Sequence, residues 1–313
     1  MESSNFQFTS SILNRQNKRK TKEEEKPKGI CLGTKTKNVY QLNSRSKFLS
    51  SCSPQSFSFP DSIMFYILKN PTTTKLYQKM IQTCKYFFIK NPIIVSSNFP
   101  CSLDLDKWCI GKTRFDFSQL ICKFWITEKF NFTPILTKLY KCDAKKVTIK
   151  NQVISLNDLS IFTKTAEDIY FERVTVKNFD DSIVPFEKIF ETFIYVKIFR
   201  IYSFSTLSNI TSKTFVELLR IPHFSHLQSI YLNCIPDTFD IEAFYVYMKK
   251  NKTTKFFLIF DYSISARYKN RLEEIVDELL STKVFNYKPP IIFYDGLDGE
   301  KKFRLFTFNL NIV

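Results

Sequence analysis

The sequence predicts an α/β protein with an N-terminal helical module followed by an irregular solenoid that contains a curved parallel sheet. Three observations lead to this fold class. Strand and helix patterns alternate over residues 147–294, the strands start at intervals of 22–35 residues, and apolar runs such as residues 256–260 suit strands covered on both faces. A doubly wound α/β sheet is the alternative, but it usually carries a glycine-rich phosphate turn after its first strand, and this sequence has none.

The first 58 residues predict a disordered basic tail. They contain 11 Lys and Arg against 4 Asp and Glu, so they carry +7 of the net charge of +16. They are low in aromatic residues and rich in Ser, Thr and Asn, a composition that buries too little apolar area to fold. The basic cluster at residues 15–22 could bind phosphate or direct nuclear import, although a solvated run of charge is the simpler interpretation.

Residues 59–98 predict a module of two short helices. The first begins after Pro60 and ends at Asn70, because the proline at position 71 disfavours helical geometry in the residue before it. The second begins at the capping hydroxyls of residues 72–74 and ends at Asn91, before another proline.

These two helices carry more apolar surface than one stripe on each can bury. The surplus residues are Met64, Phe65, Tyr66, Leu76, Met80 and Phe87. Short isolated helices are marginal in water. The surplus therefore indicates either an ordinary helical hairpin that is buried in a core or a surface that docks onto a partner.

The order of residues in this module resembles an F-box. The resemblance is carried by FPDSIM at residues 59–64, by Ile67 and Leu68, by a threonine-rich turn, and by MIQTCKYFF at residues 80–88. It implies docking onto the small adaptor subunit of a cullin-type ubiquitin ligase, and hence recruitment of a protein target to that ligase. The implied adaptor-binding residues are Pro60, Ile63, Ile67, Leu68, Met80 and Cys84. The stretches KFWIT, TVKNFDDSIVP, RIPHF and YMKKNKTTKF resemble a nematode-expanded family of F-box-like proteins.

Residues 99–313 predict a leucine-rich-repeat-like α/β domain. It opens with a connector at residues 99–106 and β-type runs at residues 107–110 and 123–127. Strands follow near residues 147–149, 169–176, 196–201, 227–232, 255–262 and 290–294, and helices near residues 157–166, 185–193, 211–220, 240–251 and 266–283. Strand–helix units of about 20–29 residues are typical of leucine-rich repeats, and most intervals here lie at or beyond the upper end of that range. Alternation of apolar and polar residues at 306–312 predicts a final edge strand.

No catalytic centre, metal site or cofactor is predicted. His223 and His226 could begin a zinc site with Cys234, but the sequence offers no fourth ligand, and loop residues are the simpler interpretation. The acidic clusters at residues 180–181 and 295–300 lack the spacing of a calcium loop. With 5 glycines the chain has no glycine-rich phosphate loop. We therefore expect a non-enzymatic protein that acts through interactions.

The sequence also predicts a location inside the cell, in the cytoplasm or the nucleus. Its 8 cysteines include no CxxC pair, and it shows neither a signal peptide nor an apolar run long enough to span a membrane. A nucleic-acid-binding protein that uses the basic tail and body is the alternative from another functional class. A purely structural domain, without a link to a ligase, is a third possibility.

Strand alternation predicts the surface that binds the protein target. The inward residues are expected to be Val147, Ile169, Val196, Ile230, Leu258 and Phe293, which leaves Thr148, Tyr170, Lys197, Tyr231, Phe257 and Tyr294 on the concave face. The predicted target-binding residues are Tyr170, Lys197, Tyr231, Phe257 and Tyr294. Aromatic residues exposed on such a face are typical interface anchors. A register error of one residue would exchange the two sets.

Overall fold

A computed structural model describes residues 46–47, 49–52, 56–98, 108–110, 113–115, 121–132, 138–202 and 209–311. The chain divides into a unit over Met1–Pro54 and a unit over Gln55–Val313. In the first unit only residues 46–47 and 49–52 are described. The predicted disordered tail therefore lies almost entirely outside the described residues, and so does the predicted connector at residues 99–106.

The second unit is an α/β fold in which helices flank a nine-stranded sheet, as the sequence predicts. Its helices are α1 (Asp61–Lys69), α2 (Thr74–Thr83), α3 (Lys85–Lys90), α4 (Leu156–Thr163), α5 (Phe186–Glu191), α6 (Thr214–Arg220), α7 (Ile241–Met248), α8 (Ala266–Ser281) and α9 (Gly299–Asn311), with a 3₁₀ turn at Pro222–His226. Its strands are β1 (Ile93–Asn98), β2 (Trp108–Ile110), β3 (Thr113–Phe115), β4 (Lys123–Phe132), β5 (Leu139–Cys142), β6 (Lys146–Ser155), β7 (Asp168–Lys177), β8 (Ile198–Tyr202), β9 (Ser229–Ile235), β10 (Lys255–Phe260) and β11 (Ile291–Phe293).

Every strand pairing in the nine-stranded sheet is parallel, and the strands cross it in chain order. The order is β1-β4-β6-β7-β8-β9-β10-β11, with β5 also paired to β4, while β2 and β3 form a separate antiparallel pair. A doubly wound sheet reverses its strand order at a switch point. Along the described strands the order does not reverse, so the topology differs from the doubly wound alternative.

Helices α4–α9 pack on one face of the sheet. Their buried apolar residues form a single cluster with the strand residues that point toward them. Val147, Ile169, Ile230 and Leu258 are in this cluster, as predicted. Aromatic rings fill much of it, and the ring of Phe199 contacts four others, those of Phe171, Phe186, Phe190 and Phe193.

The predicted second helix is two helices in the structure. Thr73 starts α2, since its side-chain oxygen accepts a hydrogen bond from the Leu76 N–H at 3.1 Å. Cys84 then adopts an extended backbone (φ −151°, ψ 125°) and separates α2 from α3. The continuous apolar periodicity of the sequence did not reveal this break.

Tyr77 joins α2 to the first strand of the sheet. Its hydroxyl donates to the Asn91 carbonyl oxygen at 2.7 Å and accepts from the Ile93 N–H at 3.0 Å. The ring is buried in a small cluster with Ile93 and Trp125, apart from the main core. The hydroxyl therefore satisfies two backbone groups that would otherwise lack partners at the start of β1.

The C-terminal end of α1 is also tied to the remainder of the unit. The Asn91 side chain donates to the Leu68 carbonyl oxygen at 2.6 Å, and the Tyr140 hydroxyl of β5 donates to the Lys69 carbonyl oxygen at 2.9 Å. Both acceptors belong to the last turn of α1, whose carbonyls have no partner within the helix.

A residue with a left-handed backbone recurs at one level of three strands. Asn151, Arg173 and Cys234 have φ values of 52°, 54° and 62°. Each immediately follows an outward-pointing residue at the same register on β6, β7 or β9. Such residues shift the alternation of side chains, so Ile149 and Ile154 of β6 are both buried in the main core.

The predicted edge strand at residues 306–312 is wrong, because α9 occupies this segment through Asn311. Asp298 caps the helix by accepting hydrogen bonds from the N–H groups of Glu300 and Lys301. Lys301 forms ion pairs with two carboxylates of α8, and Leu305 is buried against the main core. These contacts override the local alternation, which ordinarily favours a strand.

Candidate protein-interaction surfaces

The first candidate surface is the exposed apolar side of α1 and the residue before it, here called the α1 surface. It consists of Phe59, Ile63, Phe65, Tyr66 and Ile67, all of which are exposed. The buried side of the helix consists of Met64 and Leu68. A nine-residue helix thus buries two side chains and leaves five large apolar groups in its vicinity in contact with water.

The predicted adaptor-binding residues divide between these two sides. Ile63 and Ile67 are 45% and 37% exposed, whereas Leu68 is 3% exposed. Leu68 therefore packs within the chain, and the expectation that it is available to a partner is wrong. Pro60 is exposed immediately before α1, and Met80 and Cys84 are partly buried at the end of α2.

The second candidate surface is the sheet face opposite α4–α9, here called the open face. Its most regular feature is a ladder of four aromatic rings, one on each of β7, β8, β9 and β10. The rings of Tyr170 and Tyr202 stack at 5.0 Å, Tyr202 and Tyr231 at 5.1 Å, and Tyr231 and Phe257 at 4.9 Å. These distances match the spacing of neighbouring strands, so the spacing of the strands sets the interval between successive rings.

Arg200 explains how Tyr202 enters the ladder. The register places Arg200, not Tyr202, beside Tyr170 and Tyr231. The Arg200 guanidinium instead binds the Asp168 carboxylate at 2.5 Å, one level away along the strands. The Tyr202 ring lies between the two neighbouring tyrosine rings in its place.

Ion pairs border the ladder at its β7 end. Each of three carboxylates of this region contacts two cations: Glu167 contacts Lys145 and Lys197, Asp168 contacts Lys146 and Arg200, and Glu172 contacts Lys150 and Arg173. Six cations against three carboxylates leave a local excess of positive charge. We call this group the β6–β8 cation cluster.

Two pKa shifts reflect the charges of this region. Hydrogen bonds from Lys145 and Lys197 lower the pKa of Glu167 to about 2. Burial, together with the hydrogen bond from the Tyr170 hydroxyl to the Glu172 carboxylate, raises the pKa of Tyr170 to about 12. The first carboxylate is therefore ionised and the tyrosine protonated at neutral pH.

A cleft of about 300 Å³ opens beside the cation cluster. It is lined by Asp143, Lys145, Lys164, Thr165, Glu167, Tyr195 and Lys197. Three of these side chains are ammonium groups and two are carboxylates. The cleft therefore extends the positive region of the open face past the start of β7 and β8.

The structure brings together three of the five predicted target-binding residues. Tyr170, Tyr231 and Phe257 are the first, third and fourth rings of the ladder. Lys197 is exposed, but it precedes β8 and pairs with Glu167 at 2.6 Å outside the ladder. Tyr294 is on the opposite face: it is buried in the main core, and its hydroxyl donates to Glu273 of α8. The expectation that Tyr294 faces a target is therefore wrong.

The register errors at β8 and β11 have local causes. Val196 is buried as predicted, but it belongs to the turn, and β8 starts at Ile198 with Phe199 and Ile201 inward. At β11 the register pairs Ile292 with the inward Leu258, so Phe293 has the opposite parity, although its partly buried side chain packs against the main core. The alternation of residues 198–202, counted from Ile198, would have identified Arg200 and Tyr202 as outward residues.

The polar clusters considered for chemistry have structural contacts. His223 stacks on the Phe190 ring at 5.1 Å, and its Nε2 lies 3.2 Å from the Phe190 carbonyl oxygen. Asp180 accepts hydrogen bonds from the backbone and hydroxyl of Ser182 within its turn. Within the ranges that the structure describes, no group of three or more His, Cys, Asp or Glu side chains is arranged to hold a metal ion.

Two further findings bear on the class of protein. Among the helices of the described residues, none has both the length and the apolar character needed to cross a membrane. Neither a family model, nor a curated protein, nor a solved structure matches the chain.

Proposed function

We propose that this chain is an intracellular, non-enzymatic interaction protein, cytoplasmic or nuclear, that recruits a protein target to a cullin-type ubiquitin ligase. In this proposal α1–α3 form an F-box-like module that binds the small adaptor subunit of the ligase. The sheet and α4–α9 form a degenerate leucine-rich-repeat-like solenoid whose open face binds the target. The observation that carries the proposal is the α1 surface.

The size of the α1 surface supports docking. Full burial of a large apolar side chain is worth about 1.5–3 kcal/mol, and a partner that covers Ile63, Tyr66 and Ile67, which share one side of the helix, could therefore gain several kcal/mol. These three side chains are 45%, 68% and 37% exposed on one short helix. Clustered exposure of this kind is more typical of an interaction site than of isolated surface residues.

Two features support the solenoid part of the proposal. The strands follow one another in chain order across a parallel sheet. A left-handed residue also recurs at the same level of β6, β7 and β9, at Asn151, Arg173 and Cys234. Repetition of one local geometry in successive strand–helix units is what a repeat architecture produces.

The decisive experiment measures binding of the purified chain to the purified adaptor subunit by biolayer interferometry. We expect Ile63→Asp and Ile67→Asp to weaken binding by at least about tenfold, since a desolvated, unpaired carboxylate is costly at an interface. Both positions are exposed in the free chain, so melting temperature should hardly change. Leu68 is unsuitable for this test because it is buried.

Ile194→Asp is the matched control. Ile194 is 53% exposed beyond α5, so the control makes the same chemical change at a similar exposure but away from α1. It should leave adaptor binding unchanged. Equal binding by Ile63→Asp, Ile67→Asp and the unmodified chain would eliminate the α1 surface as the adaptor site, and absence of binding by the unmodified chain would eliminate the ligase link.

A further inference from the structure

The open face combines two features that constrain what it can bind, the ring ladder and the β6–β8 cation cluster. The ladder begins at Tyr170, and the cluster surrounds that same residue: the Lys150 ammonium lies 5.2 Å from the centre of the Tyr170 ring and 2.6 Å from Glu172. An aromatic strip that runs toward β10 therefore has a positive region at its β6–β8 end. A ligand that covers both must be apolar in one part and anionic in another.

The stacking of the ladder determines which groups can contact it. The Tyr202 and Tyr231 rings each have another ring on both sides at about 5 Å, with interplanar angles of 17–29° along the ladder. Their flat faces are thus occupied by neighbouring rings, so a ligand can contact only the edges of these two rings. Nucleic-acid-binding platforms stack bases on free ring faces. Ring edges suit acceptor oxygens, because the edge of an aromatic ring is the positive part of its quadrupole. They also suit aliphatic side chains, because their carbon atoms are apolar.

The cations can accept a further anionic partner. The exposed fractions of the Lys145, Lys146, Lys150 and Lys197 side chains are 73%, 47%, 48% and 52%. An ammonium group has three N–H donors, so a lysine that contacts one carboxylate can contact a second. Because the carboxylates of the chain number half the cations here, the cluster favours a ligand with negative charge.

We infer that the target segment bound by the open face is an acidic peptide in extended conformation, with carboxylates on the β6–β8 cation cluster and aliphatic side chains on the ring ladder. This inference rests on the proposed function and names the chemistry of its target. Strands lie about 4.8 Å apart, so the face from β6 to β10 is about 19 Å wide. An extended segment of about six residues, at about 3.3 Å each, would cross it.

The test uses the full chain and three fluorescein-labelled probes, with binding followed by fluorescence anisotropy. The first probe is a peptide of about eight residues, Glu-Ser-Glu-Ser-Leu-Ser-Leu-Ser, which in extended conformation presents its carboxylates and its leucines on one side. The second probe has lysine in place of both glutamates. The third is an oligothymidylate of similar length. We expect binding of the glutamate peptide alone. Binding of the oligothymidylate with equal or higher affinity would overturn the inference in favour of a polyphosphate ligand, and binding of neither anion would overturn it outright.

Variants locate the binding site. Lys146→Ala combined with Lys150→Ala should weaken binding of the glutamate peptide by about tenfold, and Lys145→Ala combined with Lys197→Ala provides a second pair if the first variant is unstable. Lys283→Ala with Lys302→Ala is the matched control, since both lysines are exposed on or beside α8 and α9 and the loss of net charge is the same. Equal weakening by the control would show binding to net charge alone and would overturn the inference.

The two proposals fail separately in these experiments. The lysine variants should bind the ligase adaptor as tightly as the unmodified chain, because the cluster belongs to β6–β8 and not to α1–α3. A chain that binds the glutamate peptide at the cluster but no adaptor contradicts the proposed function only. A chain that binds the adaptor through α1 but no glutamate peptide contradicts the acidic-target inference only.

Discussion

Tyr77→Phe is the substitution whose effect can be worked out most directly from the structure. It removes one oxygen atom and leaves the buried ring in place between Ile93 and Trp125. The lost hydroxyl donates to the Asn91 carbonyl at 2.7 Å and accepts from the Ile93 N–H at 3.0 Å. Both backbone groups lose a partner where helix α3 gives way to β1.

The expected cost follows from those two bonds. A hydrogen bond contributes about 0.5–1.5 kcal/mol net, and a buried group left unsatisfied costs about 1–3 kcal/mol. We therefore expect the free energy of unfolding to fall by about 2–3 kcal/mol. For a unit of this size the melting temperature should fall by about 5–10 °C.

Urea unfolding followed by circular dichroism and tryptophan fluorescence measures this loss, because Trp125 is one of 2 tryptophans and packs beside Tyr77. Tyr66→Phe is the control, since it removes the same atom from a side chain that is 68% exposed. It should change stability by less than about 0.5 kcal/mol. The reasoning is refuted if the two variants lose the same amount.

Two further predictions concern ionisable groups. The pKa of Glu167 is lowered to about 2 from 4.5, so its ion pairs stabilise the fold above pH 4.5 and lose this effect as the pH falls toward 2. The double variant Lys145→Ala with Lys197→Ala should return this pKa toward 4.5 in a carboxyl-carbon NMR titration. A Glu167 that titrates near 4.5 in the unmodified chain would contradict the assignment. Burial raises the pKa of the Cys142 thiol to about 12, so iodoacetamide at pH 8 should modify this thiol only after the protein unfolds. Peptide mass spectrometry measures the modification, with the partly exposed Cys84 as internal reference. Rapid modification of Cys142 in the native protein would disprove its burial.

The local sequence pattern was sufficient to identify the inward-facing residues of those strands whose start it predicts correctly. At β6, β7, β9 and β10 the inward residues Val147, Ile169, Ile230 and Leu258 were identified correctly, because each strand is long enough for its parity to be read. Three members of the ring ladder followed from this parity. The alternation of strands and helices also predicted the α/β class.

Tertiary contacts decided the features that the sequence did not reveal. Tyr202 joins the ladder because the Arg200 side chain forms an ion pair with Asp168 on a neighbouring strand. The residue pattern of a single strand does not predict such a contact between strands. Residues 306–311 are helical because α9 is anchored to α8 by Lys301 and by burial of Leu305, although the local alternation indicates a strand. The exposure of Ile67 beside a buried Leu68 likewise depends on where α1 is tied down.

Strand β4 pairs with three other strands along its length. Its first half lies between β1 and β5, and its second half pairs with β6. Strand β1, which follows α3, is therefore connected through β4 and β6 to β7, the first strand of the ladder, within one compact unit. If α1 docks onto a ligase, this continuous sheet would hold the bound target at a fixed distance from the ligase. Only those lysines of the target that lie at this distance would then be available for ubiquitin transfer.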